Sequence, residues 1–361
     1  MARAAPTMAP MSSGRRLGLT AALTVGPIAA WRFAQAYRAR AGYPHRHAPE
    51  HDPADLGLGF ETLAIPSGGI DLPAWWIPAR GGAPGPGVLL VHGWESARDR
   101  TLPNALLLHA IGLHVLTIDI RGHGSNPAEE LPLTAGEFGA DALAGVRYLL
   151  GRDDVTAAGI LGHSMGAIGA LLAAAAEPRV GAVVAVASPA DPYRLTRQTF
   201  HLASLPLPDV IAYPLAWVTT HIFLEPRGHT VRSVSASVAA ATYEGPILLV
   251  HGTDDRVVPR THHTRLIRAA NEARAAVADP APVEVLTIEG GHHSWHYEFR
   301  DYRSTVARFL AQSLGGLDPE AAAAVAANTE AVRMPDAPPG FSAMDDEPGG
   351  LRTLVRAIRE A

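Results

Sequence analysis

The chain has 361 residues, of which 47% are hydrophobic and 18% are charged, a composition that supplies a substantial core and excludes a largely disordered protein. Its net charge of −5 gives no overall basic surface for nucleic acid. The sequence has no cysteine, which excludes disulfides, a thiol nucleophile and thiolate metal sites.

Residues 1–50 form an arginine-rich leader. Seven arginines and no acidic residue precede Glu50, and residues 17–31 are fifteen uncharged positions in a row. As a helix, that stretch would span about 22 Å, less than the ~30 Å hydrocarbon core of a bilayer. Three alternatives stay open: a short membrane anchor, a signal peptide cleaved after Ala36, or a soluble amphipathic leader. We expect a membrane-associated or cytoplasmic protein rather than an exported one, and a remainder of the chain that does not need residues 1–45.

From residue 57 onward, strand patterns alternate with helix patterns, as a largely parallel sheet with helices on both faces requires. Residues 60–65 and 70–77 are predicted to form a hairpin at the entrance to this sheet. The next apolar run predicts a buried strand that ends at His92-Gly93-Trp94. A strand end of this kind brings a backbone N–H to the edge of the sheet.

Residues 115–125 combine a strand with a charged, glycine-rich turn that contains Asp119 and Arg121. Such a turn has backbone amides and carbonyls to satisfy. We therefore interpret both side chains as structural rather than catalytic. Further along, Thr134 and Glu137 have the spacing of a capping box, and apolar residues recur on one face of the helix that follows.

The sequence Gly162-His-Ser164-Met-Gly166 follows an apolar run and precedes a helix of small residues. A serine on such a strand-to-helix turn is typical of a nucleophile elbow, where glycines two residues to either side let the strand and the helix pass closely. Acyl transfer also needs two N–H donors for the developing oxyanion, and we predict the amides of Trp94 and Met165 for this role.

Residues 190–243 lie between two core strands and exceed the usual length of a connection. The segment is rich in apolar residues. It predicts either a small cap that covers Ser164 and lines a pocket, or a pair of ordinary core helices.

Two later strand ends supply candidates for an acid and a base. The strand at 246–252 leads into Asp254 and Asp255, and we select Asp255 because it lies three residues after the glycine and just before the next helix. The strand at 283–289 leads into a Gly-Gly loop that carries His292 and His293. The resulting chain order of Ser, Asp and His is one of those in which triad chemistry is met.

Over about residues 57–313, these motifs resemble an α/β-hydrolase of the serine-esterase kind. The resemblance implies Ser164 as nucleophile, Asp255 as acid and His293 as base, since His293 directly precedes Ser-Trp as in similar proteins. It implies a serine hydrolase that cleaves carboxylic esters through an acyl-enzyme. A serine at the elbow, in place of an aspartate, argues against the alkyl-enzyme chemistry of haloalkane dehalogenases and epoxide hydrolases.

Other functions stay open beside this one: a thioesterase or a serine peptidase of the same fold, or a non-catalytic, membrane-tethered binding protein. Histidines cluster at 262–263 and 292–296, but no His-Glu-x-x-His motif, phosphate loop or dinucleotide fingerprint occurs. We therefore expect no metal and no cofactor, and a small-molecule ester as the substrate. Residues 316–361 are predicted to be an Ala- and Pro-rich tail with a terminal helix at 351–360.

Overall fold

Strands and helices alternate through residues 13–202 and 207–332, which are the parts of the chain described by this computed structural model. In chain order the elements are α1 (Ser13–Ala41), β1 (Glu61–Ser67), β2 (Ile70–Ile77), β3 (Gly85–Val91), α2 (Leu102–Ala110), β4 (His114–Ile118), α3 (Ala135–Leu150), β5 (Val155–His163), α4 (Met165–Ala176), β6 (Val180–Val186), α5 (Pro192–Leu202), α6 (Asp209–Leu224), α7 (Ala236–Thr242), β7 (Ile247–Gly252), α8 (Arg260–Arg274), β8 (Val283–Ile288), α9 (Arg300–Leu314) and α10 (Pro319–Asn328).

The strands form one sheet of eight in the order β1-β2-β4-β3-β5-β6-β7-β8. Strands β3 to β8 run parallel to one another, whereas β1 and β2 are antiparallel to their neighbours. Side chains alternate along a strand, so β3 places Leu89 and Val91 on one face and Val88 and Leu90 on the other. Helices α3, α4, α7 and α8 cover the first face, and α2, α9 and α10 cover the second. The predicted α/β-hydrolase fold is confirmed.

The predicted hairpin is present, with one strand longer than expected. Gly68 and Gly69 have φ angles of 52° and 90°, a left-handed conformation that suits glycine and makes a two-residue turn. Ser67 therefore pairs directly with Ile70, and β1 continues two residues past its predicted end. The capping box is also confirmed, since the N–H of Thr134 donates to the Glu137 carboxylate at 2.8 Å.

The described residues of segment 190–243 contain three α-helices in two different surroundings. Helix α7 packs on α4 and α8 against the sheet, as an ordinary core helix does. Helices α5 and α6 pack on each other and on α1, and both line the cavity described below. We use the name cap for α5 and α6.

Helix α1 contacts the rest of the domain, although the sequence predicts a remainder of the chain that does not need residues 1–45. Ala34 is fully buried, and Arg38 Nη1 donates to the carbonyl oxygen of Ile222 at 3.0 Å. The N–H of Leu133 donates to the carbonyl oxygen of Gly42 at 2.7 Å. These contacts lead us to propose that the globular unit begins near residue 33.

Within the described ranges, no helix combines the length and the apolar character that are needed to cross a bilayer. The choice between an anchor, a cleaved signal and a leader stays a prediction.

The beginning of the predicted tail is also packed. Helix α10 lies against α9, where Arg303 Nε donates to the carbonyl oxygen of Ala326 at 3.2 Å and Arg308 pairs with Glu320 at 2.7 Å. The predicted terminal helix at 351–360 lies outside the described residues.

Candidate active site

Ser164 occupies the single position between β5, which ends at His163, and α4, which begins at Met165. Its φ and ψ angles are 53° and −116°, a strained conformation for a residue other than glycine. A Cβ atom on Gly162 would overlap the carbonyl of Gly166, and one on Gly166 would overlap the end of β3. The two glycines are therefore required by the close passage of strand and helix, which is the geometry predicted for an elbow.

A continuous chain of hydrogen bonds leads away from Ser164. Its Oγ lies 3.0 Å from Nε2 of His293, and Nδ1 of the same ring lies 2.9 Å from Oδ2 of Asp255. The other oxygen of Asp255 accepts the N–H groups of Val257 and Val258 at 2.9 and 2.8 Å. The structure thus brings the three predicted side chains together and fixes the orientation of the carboxylate.

The charge state of Asp255 follows from its surroundings. Burial raises the pKa of this carboxyl, but the adjacent His293 ring and the backbone N–H donors outweigh burial and hold the pKa below its usual value. The carboxylate is therefore ionised at neutral pH and accepts the Nδ1–H of His293. In that tautomer Nε2 is the acceptor for the hydroxyl proton of Ser164.

The residues directly before the predicted acid and base lie at the surface. Asp254 and His292 are exposed, whereas Asp255 and His293 are buried. The N–H of Asp254 donates to the carbonyl oxygen of Gly291 at 2.9 Å, which holds the loops after β7 and β8 together. The prediction of Asp255 and His293, in place of the residue before each, agrees with this placement.

Both predicted oxyanion donors lie beside Ser164. Trp94 and Met165 line the same cavity as the serine. Met165 is the first residue of α4, so its N–H has no acceptor within the helix and lies at the positive end of the helix dipole. A Cβ on Gly93 would lie 3.5 Å from Cβ of Ser164, so the loop that carries Trp94 closely approaches the elbow.

His92 anchors that loop. Its Nε2 accepts the N–H of Ile120 at 3.1 Å, and its Nδ1–H donates to the carbonyl oxygen of Gly93 at 2.7 Å. Burial lowers the pKa of His92 to about 4, so the ring is neutral at physiological pH, as one donated and one accepted bond require.

Asp119 and Arg121 hold the turn after β4. Asp119 accepts the backbone N–H of Arg98 at 2.7 Å and that of Ser125 at 2.9 Å, and it also pairs with the Arg98 guanidinium. Arg121 pairs with the buried carboxylate of Asp141 at 2.6 Å. These contacts agree with the structural role predicted for both residues.

Two histidines near Ser164 were missed by the sequence analysis. His163 Nε2–H donates to the backbone carbonyl oxygen of His293 at 2.8 Å, and burial lowers the pKa of His163 to about 4. His251 Nε2–H donates to the carbonyl oxygen of Val258 at 3.0 Å and lies 3.7 Å from Asp255 Oδ2. The His-Gly pair at the end of β7, which repeats the pair after β3, was a signal for His251, whereas nothing in the sequence pointed to the role of His163.

Ser164, His293 and His163 line a cavity of about 340 Å³. Its walls come from the strand ends, from the cap and from α1, and they include Tyr37, Leu195, Phe223, Leu224, Val258 and Trp295. In the described part of the chain, four residues other than glycine have a positive φ, and Glu95, Ser164 and Trp295 among them line this cavity. Strained backbone concentrates at functional sites, and this cavity is therefore the candidate active site.

The histidine clusters at 262–263 and 292–296 do not form a metal site in the described part of the chain. Over residues 13–202 and 207–332, no three histidine, aspartate or glutamate side chains are grouped so that they could hold a metal ion. His262 instead accepts the N–H of Ala190 at 2.9 Å, and His263 stacks on His251 with 5.1 Å between ring centroids.

The comparison with known proteins agrees with the fold. Residues 88–308 match the model of the alpha/beta hydrolase family. The match spans more than half of the chain, and the protein belongs to that family of hydrolases. An uncharacterized protein of Mycobacterium tuberculosis is 30% identical over 227 residues, which are 62% of this chain and 72% of that protein.

Solved structures share the architecture at lower identity. An esterase from Pyrococcus furiosus superposes with a TM-score of 0.59 at 22% identity, over 76% of this chain and 98% of its own. An acylaminoacyl peptidase from Pyrococcus horikoshii has a TM-score of 0.53 at 17% identity, over 73% of this chain and 44% of its own. At such identities the likeness is one of fold alone.

Proposed function

We propose that the protein is a serine hydrolase that cleaves carboxylic esters through an acyl-enzyme intermediate. The observation that carries the proposal is the hydrogen-bonded chain from Ser164 through His293 to Asp255, with contacts of 3.0 and 2.9 Å, beside a cavity with largely apolar walls. A hydroxyl in contact with a base, and a base oriented by a third group, form the arrangement that activates a weak nucleophile.

In the first half of the proposed reaction, Nε2 of His293 accepts the hydroxyl proton while Ser164 Oγ attacks the ester carbonyl. Asp255 holds the imidazole in place and stabilises its cationic form. The negative charge that develops on the carbonyl oxygen is stabilised by the amides of Trp94 and Met165. The tetrahedral intermediate then expels the alcohol, which takes the proton from Nε2, and the acyl group stays on the serine.

In the second half, water repeats the attack. His293 accepts a proton from water, whose oxygen adds to the acyl-enzyme carbonyl, and the same two amides stabilise the charge. Ser164 leaves as its hydroxyl after recovering the proton from Nε2, and the carboxylic acid is released. Each step uses groups of the chain together with water and ester.

The apolar walls support an ester with an apolar substituent as the substrate, because a site of this kind gains affinity mainly by burying apolar surface. A panel of p-nitrophenyl esters from acetate to palmitate, assayed beside acyl-CoA thioesters and peptide amides, tests the class of substrate. Faster turnover of esters is the expected result. Turnover of thioesters or amides alone would favour the thioesterase or the peptidase, and an inert panel without fluorophosphonate labelling would favour a binding protein.

A further inference from the structure

One wall of the cavity comes from a helix that the family match does not include. The match begins at residue 88, whereas α1 ends at Ala41. Tyr37, Arg40 and Ala41 of this helix nevertheless line the cavity that also contains Ser164. The substrate site therefore depends on a part of this chain that lies outside the matched region.

Aromatic side chains join α1 to the cap. The ring of Phe33 meets that of Phe200 at 5.4 Å between centroids, and the ring of Tyr37 meets Phe200 at 5.7 Å and Phe223 at 6.0 Å. All three pairs are edge-to-face, the arrangement that aromatic rings prefer. Since Phe200 lies on α5 and Phe223 on α6, Tyr37 is in contact with both helices of the cap.

The hydroxyl of Tyr37 is held as firmly as its ring. It lies 2.9 Å from Oγ1 of Thr199, and the Thr199 hydroxyl in turn donates to the carbonyl oxygen of Thr196 at 2.7 Å. Tyr37 is therefore the donor to Thr199. Because both ends of the side chain have partners, the ring is a fixed wall of the cavity.

The chain after α1 also contacts the loop that follows β3. The N–H of His45 donates to Oε1 of Glu95 at 3.1 Å, and Glu95 has a φ of 51° beside Trp94. The segment from Tyr37 to His45 thus reaches from the cap to the loop that carries a predicted oxyanion donor.

We propose that Tyr37 is a specificity-determining residue that limits the length of the apolar group on the ester. The inference rests on the proposed function. A rigid ring in the cavity wall stops a longer chain, because a packed aromatic side chain with satisfied partners does not move aside without losing those contacts. Replacing the ring by a methyl group opens space next to Phe200 and Phe223, into which a longer chain fits.

The test compares Tyr37→Ala with Tyr37→Phe, which keeps the ring, and with Ala36→Ser, a control on the exposed side of the same helix. Values of kcat/KM are measured on p-nitrophenyl esters of increasing acyl length and on alkyl acetates of increasing alcohol length. Tyr37→Ala should raise the ratio of long-chain to short-chain kcat/KM by at least about tenfold in one of the two series, since pockets discriminate by 10- to 200-fold per methylene. The other two variants should keep the ratio within about threefold of wild type, a range far below that discrimination.

Fluorophosphonate labelling of every variant separates this inference from the function on which it rests. An unchanged ratio in both series, in a Tyr37→Ala protein that is folded and labelled like wild type, would overturn the role of Tyr37 alone. A wild-type chain that neither hydrolyses esters nor reacts with the probe would overturn the proposed function together with it. If Tyr37→Ala does not fold, Tyr37→Leu takes its place, because leucine keeps apolar contact with the cap. The ratio of long-chain to short-chain kcat/KM then tests the role of Tyr37 in that variant.

Discussion

Loss of the hydrogen bond between His163 and the loop of His293 should slow the chemistry without unfolding the protein. The bond joins Nε2–H of His163 to the carbonyl oxygen of His293 at 2.8 Å, and it holds the residue whose ring lies 3.0 Å from Ser164 Oγ. Because the pKa of His163 is lowered to about 4, the ring is a neutral donor throughout the physiological range. We therefore expect His163 to act as a positioning residue for the proposed base.

The size of the effect follows from the energy of one buried hydrogen bond. His163→Leu leaves the carbonyl of His293 without its donor, which costs roughly 1–3 kcal/mol. If that energy is lost from the reactive geometry, kcat falls by roughly 5- to 150-fold, at about 1.4 kcal/mol per factor of ten. His163→Gln keeps an N–H at a similar distance from the backbone and should restore kcat to within about fivefold of wild type, as a donor worth ~1 kcal/mol predicts.

The assay is kcat on a p-nitrophenyl ester, together with the rate of fluorophosphonate labelling, which reports on serine reactivity without a bound ester. Both rates should fall in the Leu variant and recover in the Gln variant, at nearly unchanged melting temperature. Equal losses in the two variants, or a Leu variant within twofold of wild type, would refute the positioning role.

Three further predictions concern the adjacent candidates for acid and base, the N-terminal leader, and the dependence of stability on pH. His293→Ala and Asp255→Asn should reduce kcat by about 10⁴-fold or more. His292→Ala and Asp254→Asn should reduce kcat by less than about tenfold, since only the buried residue of each pair belongs to the hydrogen-bonded series that ends at Ser164. Deleting residues 1–45 should lower both melting temperature and activity, because the deletion removes a wall of the cavity. The free energy of unfolding should fall as the pH is lowered from 6.5 to about 4. Burial lowers the pKa to about 4 or 3 for five histidines, which are His92, His123, His163, His262 and His263. In this pH range the unfolded chain binds protons that the folded chain does not, which costs up to ~1.4 kcal/mol per pH unit for each histidine.

Each of these predictions has a contrary outcome. A severe loss in His292→Ala or Asp254→Asn would mean that the loops adopt another register in solution. Full activity after the deletion would restore the expectation of a leader that the domain does not need. Urea unfolding curves that give the same free energy of unfolding at every pH from 7 to 4.5 would contradict the burial of neutral histidines.

The placement of Ser164 and Asp255 was predictable because each stands at the carboxyl end of a strand close to a glycine. Parallel strands deliver such ends to one edge of the sheet. The choice between adjacent residues was harder from sequence, since a shift of one position reverses the direction of a side chain. In the structure Asp254 and His292 are exposed, which favours the buried residue that follows each of them.

The parts that sequence reasoning missed depend on contacts between distant residues. Tyr37 and Thr199 are 162 positions apart, and His163 meets a backbone carbonyl 130 positions away. Composition describes α1 as a run of apolar residues and arginine, but it does not say which surface an apolar helix covers. For the same reason the Ala-rich sequence of α10 predicts a tail, although the helix packs on α9.

The central claim is that Ser164 is the nucleophile, and mapping a fluorophosphonate adduct by mass spectrometry tests it most directly. We predict one adduct on the peptide that contains Ser164, absent from a folded Ser164→Ala protein whose kcat is lower by roughly 10⁴- to 10⁶-fold. An adduct on a different serine, or undiminished labelling and turnover in Ser164→Ala, would contradict the account.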